Sequence, residues 1–147
     1  MSTPDEAVPV VPAAPKPMRL APLMTLDAKF FWDAADREEF VGQQCGDCDR
    51  HRFPPAPMCP DCNSLNTLVV PLSGRGTVVS WIKPIHPPAL GFKEPPTVAL
   101  IELEEGTRFV SNVVGIPFEQ VTLNMAVEVC FEETMGNHKV PVFRPSK

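Results

Sequence analysis

Two CxxC knuckles limit what this chain can fold into more than any other feature. They are Cys45-Gly46-Asp47-Cys48 and Cys59-Pro60-Asp61-Cys62, ten residues apart, and together they hold four of the five cysteines. A tetrahedral Zn²⁺ ion takes four soft ligands at about 2.3 Å, and two CxxC turns supply them from a short hairpin-like loop. The pattern predicts a structural zinc site on Cys45, Cys48, Cys59 and Cys62. A rubredoxin-like iron suits the same four thiolates, and disulfides are the remaining use of such pairs. Four thiolates fill the shell, so no position stays open for a catalytic water. The knuckles say how one part of the chain is held, and nothing yet about what it does.

Around this clasp the chain has 147 residues, enough for one ordinary domain or two small ones sharing a linker. Nineteen are proline, with pairs at Pro54-Pro55, Pro87-Pro88 and Pro95-Pro96. Proline fixes φ and removes a donor, so short strands and irregular loops follow. A net charge of −5 argues against a nucleic-acid partner, since phosphate contacts draw on Lys and Arg. No apolar run approaches the roughly 20 residues that span a bilayer, so no membrane association is expected. No basic residue precedes a hydrophobic stretch at the N-terminus, so no signal peptide is read there. Paired thiols at metal spacing with one left over fit a reducing cytoplasm.

Residues 1–22 carry six prolines and predict an extended or disordered arm. Residues 23–44 predict an N-terminal aromatic helix, with 27–41 as its helical stretch and Thr25 or Asp27 available to cap it. Phe30, Ala34 and Val41 share one stripe of that helix, while Phe31, Trp32 and Phe40 spread beyond it. Three consecutive aromatics cannot all face one small core. Part of the helix, carrying Phe30, Phe31, Trp32 and Phe40, is therefore expected to meet another protein chain; the competing arrangement tucks some of them under the zinc loop. Residues 45–65 form the zinc ribbon.

From residue 66 to 147 the pattern turns period-two. Strands are expected at 67–71, 76–85, 97–104, 107–114, 125–133 and 139–143, with turns at Gly74-Arg75-Gly76, Glu105-Gly106 and Gly136-Asn137. Val127, Val129 and Phe131 alternate with Glu128, Cys130 and Glu132. Five or six short antiparallel strands suggest a small closed barrel, which leaves no exposed edge. The fold class is mainly β: an N-terminal helix, the zinc-binding segment, then a small closed antiparallel barrel.

Little else carries chemistry. Cys130 lies between Glu128 and Glu132, whose charges oppose a thiolate, so it reads as structural. His51, His86 and His138 have no local acid–base partner, and Glu104-Glu105 and Glu132-Glu133 read as solvated charge beside turns. No phosphate loop, hydrolase triad or dinucleotide fingerprint is present, and no catalytic residue is assigned. Trp81 and Phe109 are candidates for base stacking, yet residues 66–147 hold seven Lys or Arg against eight Asp or Glu. A nucleic-acid-binding module stands as the alternative.

The arrangement resembles the DUF35 family. The likeness rests on the aromatic helix leading to Gln44-Cys45-Gly46-Asp47-Cys48, and on Phe53-Pro54-Pro55 before the second knuckle. Ser73-Gly74-Arg75-Gly76-Thr77-Val78-Val79-Ser80-Trp81 and the closing Pro141-Val142-Phe143-Arg144-Pro145 extend it over roughly residues 26–146. The resemblance implies a rubredoxin-like zinc ribbon before an OB-fold, with the four cysteines as ligands. It further implies an accessory subunit paired with a thiolase-like or lipid-transfer-protein-type enzyme. In such complexes the partner does the chemistry, supporting retro-aldol or thiolytic cleavage of a lipid or steroid side-chain, and acyl-CoA is a ligand of the complex.

Overall fold

The computed structural model describes residues 19–147, so most of the expected 1–22 arm lies outside the described residues. In chain order the elements are α1 (Lys29–Asp36), β1 (Val41–Cys45), β2 (His51–Arg52), β3 (Thr67–Pro71), β4 (Arg75–Ile82), β5 (Thr97–Leu103) and β6 (Arg108–Val113). A 3₁₀ turn (Phe118–Gln120), β7 (Ala126–Glu133) and β8 (Lys139–Pro145) complete them. Strands β2, β1 and β3 form an antiparallel ribbon sheet, and β4-β5-β6-β8-β7 close into a barrel. All barrel pairings are antiparallel except β6 with β8, which meet in parallel at Val113 and Phe143.

Period-two burial builds the barrel. Along β5, Thr97, Ala99, Ile101 and Leu103 point inward while Val98, Leu100 and Glu102 do not. Val127 is fully buried on β7, with Val129 and Phe131 packed against the same core. One register shift between Val78 and Ser80 inserts an extra residue into β4, and such a bulge bends a strand around a barrel. Gly76 sits where β4 passes β5 so closely that a Cβ would lie 2.4 Å from the Glu102 carbonyl oxygen. Only glycine fits there, which explains the Gly-Arg-Gly segment. Strand β3, expected as part of the barrel segment, instead pairs with β1, from Val41 opposite Pro71 to Cys45 opposite Thr67. The ribbon sheet thus spans 41–71 and reaches beyond the 45–65 read from the cysteines.

The helix is shorter than the expected 27–41. Its N-cap is Ala28, and neither Thr25 nor Asp27 caps it with a side chain. It stops at Asp36, where Glu38 takes a left-handed φ of 62°. The amide of Glu39 then donates to the Ala34 carbonyl and that of Glu38 to the Ala35 carbonyl, a Schellman closure. Glycine usually occupies that position; a glutamate there hid the stop from sequence reading.

This early stop reassigns the aromatics. Phe40 and Val41 leave the helix, and its buried stripe is Phe31, Ala34 and Ala35. Phe31 and Phe40 are 2% and 7% exposed and sit in the chain's own core. Phe31 lies 5.6 Å from Phe53 of the ribbon and 5.9 Å from Phe109 of the barrel, centroid to centroid. Phe53 and Phe109 approach to 4.3 Å, and Phe40 stacks edge-on to Phe109 at 5.4 Å and to Phe143 at 6.0 Å. Helix, ribbon and barrel therefore share one aromatic core, each tilted pair contributing about 0.5–1.5 kcal/mol beyond its buried area.

Candidate metal centre

The two knuckles are near copies of one another. Cys45 ends β1, and its amide donates to the Arg50 carbonyl at 2.9 Å; Cys59 does the same with Ser64 at 2.9 Å. The amide of Asp49 returns to the Cys45 carbonyl and that of Asn63 to the Cys59 carbonyl, both at 3.0 Å. Asp49 and Asn63 hold left-handed φ values of 59° and 57°. Asp and Asn tolerate that region better than other L-residues, so each knuckle carries its own turn residue just after its second cysteine.

This folding brings all four Sγ atoms within 4.8 Å of one another. Cys45 and Cys62 sulfurs stand 3.5 Å apart, and those of Cys48 and Cys59 stand 3.7 Å apart. A tetrahedron with metal–sulfur bonds of about 2.3 Å has edges of about 3.8 Å, so the donor set fits Zn²⁺. The amides of Cys62 and Asp61 pull the Cys59 thiol down to about 6. Those of Asp47 and Cys48 lower the Cys45 thiol. At Cys48 the Arg50 amide and the Cys62 sulfur favour the thiolate, but burial with Cys45 and Cys59 outweighs them and raises the thiol. At Cys62 the Ser64 amide is outweighed by the Cys45 sulfur, burial, Cys48 and Cys59, which push it up to about 12. Thiolates this close repel one another; a dication is what allows all four to ionise together.

Polar contacts lock the knuckles to each other. Ser64 Oγ and Asn66 Nδ2 both donate to the Asp47 carboxylate, the latter at 3.0 Å, and lower its pKa in that order. Arg50 pairs with Asp61 at 2.8 Å. Asn66 crosses so close to Gly46 that a Cβ there would lie 2.5 Å from Asn66 Nδ2. Cys45 and Cys59 are buried, whereas Cys48 and Cys62 are exposed.

The aromatic set proposed for a partner is not gathered on one surface. Phe31 and Phe40 are interior, while Phe30 and Trp32 are half-buried. Trp32 lines a cavity of about 280 Å³ together with Arg19, Phe92, Phe109 and Asn112. Sequence reading missed Arg19, which bonds Asn112, pairs with Glu132 at 3.3 Å and lies 5.0 Å from the Phe92 ring centre. It also missed the partner of His138. Asp36 accepts from the Lys139 amide at 2.9 Å and lies 2.9 Å from His138 Nδ1, although the two side chains are 102 positions apart in sequence. Burial raises the Asp36 carboxyl, but the Lys139 amide, the His138 ring and the charges of both hold it below its ordinary value. Burial pushes the Cys130 thiol up, as suits a structural residue.

Among the described residues no helix is long and apolar enough to cross a membrane. Two family profiles match the chain: the ChsH2 rubredoxin-like zinc ribbon domain over residues 32–67 and the ChsH2 C-terminal OB-fold domain over 69–132. The chain is 40% identical over 132 residues to a probable enoyl-CoA hydratase alpha subunit of Thermomonospora curvata, covering 90% of this chain and 41% of that protein. It is 33% identical over 112 residues to the 3-oxo-4,17-pregnadiene-20-carboxyl-CoA hydratase alpha subunit of Mycobacterium tuberculosis, covering 76% of this chain and 36% of that one. It thus spans less than half the length of these curated relatives. Among solved structures it matches a chain of an "Ltp2-ChsH2(DUF35) aldolase" with a TM-score of 0.79 and 40% identity, over 85% of this chain and 98% of that one. Knuckles, ribbon and barrel, and this likeness along nearly the whole of a DUF35 chain, make the protein a member of the DUF35 family, with a ChsH2-type zinc ribbon and OB-fold.

Proposed function

We propose that this chain is a zinc-bearing, non-catalytic accessory subunit of an acyl-CoA-processing complex whose chemistry belongs to a thiolase-like partner. Within that class it supports carbon–carbon cleavage, retro-aldol or thiolytic, of a lipid or steroid side-chain acyl-CoA, which is a ligand of the complex. One observation carries the reading: the chain covers 98% of the DUF35 chain of an aldolase at 40% identity. The likeness to a hydratase alpha subunit named for a steroid carboxyl-CoA supports the substrate class. Hydration itself is not assigned, because this chain spans only 36% of that relative.

Cys45, Cys48, Cys59 and Cys62 hold zinc in this reading. A metal with four protein thiolates supplies stability and no open coordination position. The chain's own residues hold the ribbon against the barrel, and Phe30 and Trp32 are the aromatics left to meet the partner. A reducing cytoplasm suits four reduced thiols.

Reconstitution tests this. The thiolase-like subunit is assayed on acyl-CoA thioesters with and without this chain, and activity is expected to depend on it. Full activity of the enzyme alone would sink the reading. Binding of single-stranded DNA or RNA that weakens as salt rises would point to the nucleic-acid alternative. Calorimetric binding of CoA esters by the chain alone would point to a free carrier.

A further inference from the structure

Strand β3 is the uncovered margin of the ribbon sheet, which runs in the order β2-β1-β3. Its five residues, Thr67-Leu68-Val69-Val70-Pro71, carry no charge. The register shows which of its backbone groups are already used. Gly46 N–H donates to the Asn66 carbonyl and Leu72 N–H to the Phe40 carbonyl, both at 2.9 Å. Antiparallel ladders alternate, so Asn66, Leu68, Val70 and Leu72 turn their backbone groups toward β1. Thr67, Val69 and Pro71 turn theirs outward. Cys45, opposite Thr67, agrees: its amide points the other way, to Arg50 on the β2 side.

Among the described residues nothing bonds these outward groups, two N–H donors on Thr67 and Val69 and the carbonyls of Thr67, Val69 and Pro71. The side chains are uncovered on both faces, with Leu68 47% and Val69 54% exposed, and Leu65 nearby at 73%. Proteins usually blunt such an edge with lysine, proline or a bulge. Here only the final Pro71 does so.

We propose that β3 is a docking edge that takes an extended segment of the partner enzyme subunit as a fourth strand of the ribbon sheet; the proposal rests on the subunit reading above. The segment is apolar at alternate positions, and a lysine or arginine on it faces the Thr67 end. That end adjoins the knuckles, where Asp47, Asp49 and Asp61 outnumber Arg50 and Arg52. Arg52 is already bonded to Thr67 Oγ1 and Arg50 to Asp61, and Asp47 is bonded to Asn66 beside the strand. A second copy of this chain is the poorer occupant. Residues 65–73 contain no Lys or Arg, so a copy laid antiparallel brings no cation to the acidic end.

Residue-resolved amide exchange on the full chain, alone and bound to the thiolase-like subunit used in the reconstitution, tests the proposal. Thr67 and Val69 amides are expected to slow markedly in the complex, while Leu68 and Val70, already bonded to β1, stay protected in both states. Val69→Pro removes one outward donor without removing a ribbon bond. It should weaken the complex about tenfold with metal content unchanged, and Val69→Thr, which keeps the donor, should bind normally. If Val69→Pro fails to fold, exchange on the native chain decides. A complex of full affinity whose Thr67 and Val69 amides keep their free rates overturns the docking edge and leaves the subunit reading standing. No complex at all overturns both. Protection that appears in the chain alone, with doubled mass by light scattering, makes the occupant a second copy and also overturns the proposal.

Discussion

Phe31 carries the helix into the shared core, its ring packed against Phe53 of the ribbon and Phe109 of the barrel. Phe31→Ala should destabilise the chain by about 3–5 kcal/mol, read as a lower midpoint in urea unfolding, because the rigid core cannot close the cavity. Asp36 acts by charge. Its folded pKa lies below the ordinary value, so its contribution is present above the unfolded carboxyl pKa, about 3.9, and is lost as pH falls through the folded one. Stability of the native chain should therefore fall more steeply below about pH 4 than that of Asp36→Asn. Thermal melts of both proteins across this range read the difference, and equal slopes would remove Asp36 from the account. Neither role was legible locally. His138 and Lys139, which set the Asp36 environment, stand more than a hundred positions away.

The ribbon is an element whose logic is almost wholly local. Cysteine spacing, Asp49 and Asn63 after the second thiols, and the small Gly46 all lie within the segment that folds. Cys59→Ser should release the metal, measured as zinc content per chain, since three thiolates and a hydroxyl make a poor substitute for four thiolates. Gly46→Ala should keep all four sulfurs yet cost about 1–3 kcal/mol, because the new methyl meets the Asn66 amide. A chemical melt at saturating zinc separates these two outcomes. The helix is the opposite case. Residues 27–41 contain no Gly or Pro, so nothing in their composition marks a stop. Glu38 accepts the left-handed angle, with Lys139 of β8 holding its carboxylate at 2.6 Å. The stop is made by the left-handed Glu38 and the amide bonds of Glu38 and Glu39 back to Ala35 and Ala34, and with it Phe40 leaves the helix.

For the molecule as a unit, the shared aromatic core ties metal and barrel together. Removing zinc with a chelator should lower the melting temperature followed by near-ultraviolet circular dichroism of the whole chain, in one transition. A barrel that melts unchanged would show that the Phe31-Phe53-Phe109 contacts do not couple the two parts. The knuckles, the barrel strands and their glycine turns could be read from residue order because their chemistry is short-range. Four thiolates within one loop pair, alternating apolar residues and left-handed turn positions each act over a few residues. Three things could not be read that way: which aromatics face inward, that β3 joins the ribbon rather than the barrel, and that one of its edges stays open. Those were settled by packing between distant segments, since burial and free hydrogen-bonding groups depend on what lies against a residue and not on the residue itself.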